Sequence, residues 1–198
     1  MRLTKSTKLL YGLGFSSLSI KDTLYQVFVF FYFTQILGLD SALTGTATLI
    51  ALIFDAISDP LVGVISDNLE YKKWGRRHPL MFISAFPLGL FIFLLFMPPD
   101  SLGQMELFLW LIFFSVLIRL SLTLFLVPGM SLGAELSKDY EERTEITGYR
   151  YLFSSFVGPI VFIIALMFFF NSSEFESDPL LNKEAYPPFA LFCSFLVI

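Results

Sequence analysis

Apolar residues in this chain come in long, nearly unbroken runs separated by short polar stretches, the pattern of helices that cross a bilayer. A crossing helix needs about 20 mostly apolar residues. Such runs cover 8–36, 42–66, 79–97, 105–134 and 149–170, and a sixth begins near 187 and is still apolar at Ile198. The expected fold class is therefore all-α, a polytopic membrane helix bundle. Because the sixth run stops half-crossed, residues 1–198 read as the front piece of a longer protein.

The polar connections set an expected orientation. Arg2, Lys5 and Lys8 lie at the start; Lys72, Lys73, Arg76 and Arg77 lie between the second and third runs; Lys138, Arg143 and Arg150 lie around the connection from fourth to fifth. The alternate connections hold Lys183 as their one basic residue, with Asp40, Asp100, Glu106, Glu174, Glu176, Asp178 and Glu184. Lys and Arg are retained on the cytoplasmic side, so the amino terminus is expected inside, in a multi-pass protein of the plasma membrane (a bacterial inner membrane). The first run is too long for a signal peptide and lacks a small-residue cleavage site.

Composition narrows the function classes. With 56% hydrophobic, 18% aromatic and only 15% charged residues, the chain cannot cover a surface of ordinary soluble size with charge. A mean hydropathy of +0.73 and a net charge of -4 exclude a soluble enzyme and offer no basic surface for nucleic acid. The single cysteine, Cys193, stands in an apolar run as a small buried residue. His78 lies in the basic connection and reads as a solvated loop residue. No nucleophile–base pair or metal-ligand cluster is present, and no cofactor is expected.

Ionisable residues inside apolar spans are expensive, so they are functional candidates by default. Here they are Lys21, Asp22, Asp55, Asp59 and Arg119. Asp55 and Asp59 are four apart, on one helical face, with Cβ atoms about 5–6 Å apart. Two carboxylates that close in a poorly hydrated place cannot both stay ionised without a cation. Hard oxygen donors suit Na⁺ or H⁺. Pro60 lacks an amide hydrogen, which frees the Ala56 carbonyl to turn toward an ion, and Ser58 offers a hydroxyl nearby. The competing reading pairs one Asp with Lys21 or Arg119 as structural glue.

Arg119 and Thr123 share a face of the fourth span. Thr123 either gives a bound cation an oxygen or bonds its own helix carbonyl. Arg119 either pairs with a carboxylate or grips an anionic substrate. Pro128-Gly129 is expected to break the fourth span and Gly158-Pro159 to bend the fifth, as around transporter sites. Lys21 and Asp22 are about 100° apart and should not point at one spot. Tyr11, Tyr25, Tyr32, Tyr149 and Tyr151 either line a substrate path or form interfacial belts.

Phe54-Asp-Ala-Ile-Ser-Asp-Pro-Leu-Val-Gly63, Ser66-Asp67, Trp74-Gly-Arg-Arg77 and Pro79 resemble the second span and following loop of the glycoside–pentoside–hexuronide:cation symporters, the melibiose-permease-like branch of the major facilitator superfamily. Val127-Pro-Gly-Met-Ser-Leu-Gly-Ala-Glu-Leu136, Asp139-Tyr-Glu-Glu-Arg-Thr144 and Gly148-Tyr-Arg150 are similar to that family's segment after span four. The resemblance runs from about Tyr11 to Arg150.

It implies that residues 1–198 are the amino-terminal six-helix half of a twelve-helix carrier, working as a monomer among membrane lipids. The implied activity is symport of a sugar or glycoside with a monovalent cation, Na⁺ or H⁺. The cation site, and any Na⁺ ligation, falls on Asp55 and Asp59, with Thr123 and Ser58 beside them. Substrate contacts are expected from Asp22, Ser19, Lys21, Arg119, Tyr25 and Arg150. The inward gate falls on Asp67, Arg76, Arg77, Glu135, Asp139 and Arg143. The family's sugar-binding acids fall at Ser19 and Leu126, with Asp22 one turn away as a stand-in, so the usual sugar site is not reproduced. Lys21 and Arg119 are additions that favour H⁺. The alternatives are a sodium-coupled lysophospholipid carrier and a non-transporting membrane sensor of carrier ancestry.

Overall fold

The computed structural model describes residues 3–68, 77–171 and 178–198, and among them there is no strand. The first span runs as α1 (Lys5–Gly14) and α2 (Ser16–Thr23), followed by π-helical turns over Leu24–Val29 and Tyr32–Ile36. Then come α3 (Ser41–Asn68), α4 (His78–Leu95), α5 (Gln104–Glu135), α6 (Tyr140–Ile164, extended by a π turn over Ala165–Phe169) and α7 (Tyr186–Val197). Among the described residues four stretches, α3, α4, α5 and Tyr140–Phe169, are long and apolar enough to cross a membrane. The first span is divided into shorter pieces, and α7 has 12 residues. The predicted runs and the helices agree closely, except that α6 begins at Tyr140, ahead of the predicted 149. Its polar first turns continue the helix beyond the apolar stretch, where hydropathy alone has no signal.

Local chemistry sets the helix starts. The Thr4 hydroxyl accepts from the Thr7 amide at 3.3 Å, and Asp139 accepts from the Glu141 amide at 2.9 Å. Gly103 N–H donates to Glu106 at 2.8 Å, and Pro187 and Pro188 occupy the first turn of α7, where no amide hydrogen is needed. Lys8, buried, reaches from α1 to Glu142 (3.0 Å) and Glu145 (2.5 Å) on α6. At the other end Lys183, 2.5 Å from Asp100, holds that carboxyl below the usual range.

Helix α5 lies between α3 and α4; α1 and α2 pack on α6; α7 closes against α4. An aromatic cluster ties the far end of the first span to α7: Phe28 meets Phe189 and Tyr32 meets Tyr186, each with centroids 4.5 Å apart. Tyr32 donates to the Phe96 carbonyl at 3.1 Å. Much of the sequence's aromatic excess is therefore packing material. The outer faces of α3 and α4 expose Ile57, Leu61, Phe82 and Phe86, as lipid-facing helices do.

The expectation of a break at Pro128 is corrected, and the expected bend at Pro159 comes without a break. Pro128 sits inside an unbroken α5, and Pro159 inside an α6 that continues through it. Pro60 likewise stands within α3. A proline removes one helical hydrogen bond, a loss that membrane helices tolerate without ending. Irregular backbone lies in the first span, at the α1–α2 junction at Phe15 and in the π turns beyond Thr23, and in the π turn over Ala165–Phe169 that ends α6.

Candidate functional site

The site forms where α3 and α5 pack together near their middles, with α2 alongside. Asp55 and Asp59 share one face of α3, and Arg119 and Thr123 share the opposing face of α5. Two residues per helix, each pair four apart, bring four polar groups into register. Arg119 Nη1 donates to Asp55 Oδ2 at 2.8 Å. The Thr123 hydroxyl lies 2.8 Å from Asp59 Oδ1 and 3.3 Å from Asp55 Oδ1. It has one hydrogen, so Asp59 is its main acceptor and Asp55 a weak second. Thr123 therefore turns away from its own helix carbonyl.

These four side chains and Lys21 line a cavity of about 150 Å³ walled by Leu18, Leu122, Leu126, Val127 and Met130. The volume suits a small ion with some water or one end of a larger ligand. The Arg119 side chain is only 10% exposed and that of Asp55 26%, so the pair is weakly screened, whereas Asp59 is exposed at the cavity edge. Among the described residues Asp59 has no cationic partner within ion-pair distance.

Other predicted residues divide between this cavity and elsewhere. Lys21 lines it, with its ammonium 2.5 Å from Asp22. As expected, the two do not both face the cavity: Lys21 is buried in its lining and Asp22 lies outside it, with the flexible lysine stem folded back toward the adjacent acid. Ser58 is buried, does not line the cavity and donates to the Asp55 backbone carbonyl at 3.1 Å. Ser19 is occupied by packing: its hydroxyl accepts from the Gly158 amide at 2.8 Å, where α2 and α6 approach closely. A Cβ at Gly158 would come within 2.7 Å of the Ser19 carbonyl oxygen. Tyr25 carries the Arg119 guanidinium over its ring, 5.6 Å from the centroid.

Toward the amino-terminal end, Arg77 bonds Glu135 at 2.8 Å and lies 3.7 Å from Asp67. Arg143 Nε donates to the Ser137 carbonyl at 2.6 Å, and Asp139 caps α6. Arg150 sits over the rings of Phe15 (5.7 Å) and Tyr151 (5.0 Å). Arg143 and Arg150 line a second cavity of about 180 Å³ with Tyr11, Met130, Gly133 and Thr147. Arg76 lies outside the described residues, as do Trp74 and Gly75. Tyr11 and Tyr32 are packing residues, bonded to the Gly129 and Phe96 carbonyls, while Tyr151 is exposed. His78 is exposed at the start of α4, and Cys193 is buried.

Sequence reasoning passed over Ser115. It stands four residues before Arg119, on the same face of α5, and its buried hydroxyl lies beside the Tyr25 hydroxyl. The same spacing rule that linked Arg119 to Thr123 would have found it.

Membrane-length helices that gather carboxylates, basic groups and a hydroxyl around a small mid-helix cavity mark a multi-pass membrane protein. The chain belongs to the MFS/sugar transport protein family, whose pattern matches residues 10–198, a family of transporters and not of enzymes. It is 34% identical over 158 residues to an uncharacterized symporter of Synechocystis sp., covering 77% of this chain and 29% of that protein. It is 25% identical to the isoprimeverose transporter of Lactiplantibacillus pentosus, covering 81% of this chain and 33% of the relative. Sodium-dependent lysophosphatidylcholine symporter 1 of Gallus gallus is 27% identical, covering 75% and 28%. The chain thus spans about a third of the length of each.

Proposed function

We propose that this chain is the amino-terminal six-helix half of a twelve-helix carrier that moves a sugar or glycoside together with one monovalent cation, Na⁺ or H⁺. The observation that carries this reading is the Asp55–Asp59–Thr123 arrangement. Three oxygen-bearing side chains from two helices converge on one cavity, and Asp59 has no cationic partner among the described residues. Arg119 already neutralises Asp55, so the pair asks for one added positive charge. Cation binding then favours the state that takes substrate between the two halves, and each ligand raises the affinity of the other by the same factor. The halves rock about the midplane. Asp67, Arg77 and Glu135, and the arginines near α6, belong to the inward gate.

The excess of Lys and Arg on alternate connections supports a cytoplasmic amino terminus in a plasma-membrane protein. The carrier works as a monomer. Uptake by the full-length protein in vesicles, under imposed sodium or proton gradients and across a panel of glycosides, tests the reading. Substrate-driven cation movement with one glycoside supports it; a protein that moves neither substrate nor cation would be a sensor. The likeness to a lysophosphatidylcholine symporter supplies a second reading, decided by whether lysolipids or sugars compete for the bound substrate.

A further inference from the structure

Resting on that symport reading, we propose that Arg119 is a shared group. Asp55 holds it while the cation site is empty, and cation binding releases it to a single anionic group, a carboxylate or a phosphate, on the transported substrate.

The guanidinium is only partly engaged. Nη1 is on Asp55 at 2.8 Å, whereas Nε is buried without an acceptor. A buried N–H left unpaired is unfavourable and uncommon in a settled structure. The open edge of an arginine fork fits two oxygens of one oxyanion, taken by Nε–H and a neighbouring Nη–H. Tyr25 supports the plane of the cation from one side, 5.6 Å from ring centroid to guanidinium carbon, so the group can change partner without losing that support.

The rest of the cavity leads to the same chemistry. A neutral sugar presents hydroxyls that need acceptors as well as donors. At the two positions where a sugar-binding acid was looked for, Leu126 is apolar and the Ser19 hydroxyl is taken by Gly158. The acceptors left in the lining are Asp55, Asp59 and the Thr123 oxygen, the groups assigned to the cation. What this half has to spare is donors: Arg119, and Lys21 beside it.

Coupling follows from competition for Asp55. A cation between the carboxylates takes over the countercharge that Arg119 supplied. A buried guanidinium without a partner is strongly unfavourable. An anionic group on the substrate removes that penalty, so cation and substrate stabilise each other through one side chain.

The test uses the full-length carrier in proteoliposomes. Binding of 4-nitrophenyl β-glucuronide is compared with that of 4-nitrophenyl β-glucoside, which lacks the carboxylate, and of its 6-phosphate, with sodium or acid pH as the cation arm. Cation should tighten the charged ligands by about tenfold or more, the scale of a charge-assisted pair, and leave the neutral glucoside nearly unchanged. The carboxylate and phosphate arms identify the favoured group. Arg119→Gln should lose the preference for charge while its cation affinity rises, because the rival for Asp55 is gone. Arg119→Lys, which keeps the charge without the fork, should fall between.

Equal cation-dependent binding of the glucuronide and the neutral glucoside, or an unaltered preference in Arg119→Gln, overturns the shared-arginine proposal and leaves symport standing. If folded wild-type carrier shows no cation dependence with any of the three ligands or with the wider glycoside panel, symport falls and this proposal with it. The comparison of ligands on wild type decides the matter even where Arg119→Gln does not fold.

Discussion

Arg119 and Asp55, 64 residues apart in the chain, form a 2.8 Å ion pair across the α3–α5 interface. The pair divides the two span-two carboxylates into unlike partners. Asp55 carries a resident countercharge, and Asp59 has a hydroxyl alone. A site that looks symmetric in sequence is therefore asymmetric in space, and the two acids should respond differently to substitution.

Asp59→Cys removes the carboxylate that has no cationic partner. Cation-stimulated uptake should be abolished while insertion and substrate exchange at equilibrium persist. Gradient-driven uptake measured beside exchange in the same vesicles separates the two. Undiminished sodium or proton stimulation would end the assignment.

Thr123→Val keeps the shape of a side chain only 4% exposed and deletes its hydroxyl. Asp59 loses its hydroxyl donor, a change on the order of 1 kcal/mol. The cation concentration for half-maximal stimulation should rise by about fivefold, with little change in the maximum. A maximum that collapses at unchanged half-saturation would assign Thr123 to the transport step instead.

Asp55→Asn and Arg119→Gln each leave one charge of the pair without its partner. For fully buried pairs such a loss costs about 3–5 kcal/mol, and with Asp55 26% exposed on the order of 2 kcal/mol is expected. The double variant should be more stable than either single one. Thermal unfolding in detergent reads all four proteins of the cycle; strictly additive losses would show that the two residues are not energetically paired.

Gly158→Ala places a methyl against the Ser19 carbonyl at 2.7 Å, where helix backbones leave little room. Overpacking of this kind costs about 1–3 kcal/mol. A lowered unfolding midpoint is expected, together with lower expression. Unchanged stability would mean that α2 and α6 separate more readily than their packing suggests.

Cys193 is the single cysteine and is buried, so maleimide should label it only after denaturation. That leaves a clean background for topology. Lys5→Cys should react from the cytoplasmic side and Asp100→Cys from the opposite side. Labelling in the reverse sense would invert the orientation drawn from charge.

Much of this was legible in one dimension. The predicted run 42–66 became α3 at Ser41–Asn68, and 105–134 became α5 at Gln104–Glu135, because burial in lipid leaves hydropathy few competitors. Spacing of four put Asp55 with Asp59 and Arg119 with Thr123 on common faces before any fold was known. The start of α6 was not legible, since a polar helix beyond the membrane looks like a loop to a hydropathy reading. The expected break at Pro128 is absent because a missing hydrogen bond does not by itself end a membrane helix. Resemblance places Ser19 among the substrate contacts, and only its partner across the interface, Gly158, shows a packing role.

The sequence by itself determined that the chain crosses a membrane repeatedly and that charge lies in the middle of three spans, since apolar length and the cost of burying charge are properties of each segment alone. Partnership is a property of two segments. That Arg119 meets Asp55, that Thr123 serves Asp59, and that Lys21 lines the same cavity depend on the rotation of α2, α3 and α5 about their axes, which side-chain packing between helices settles.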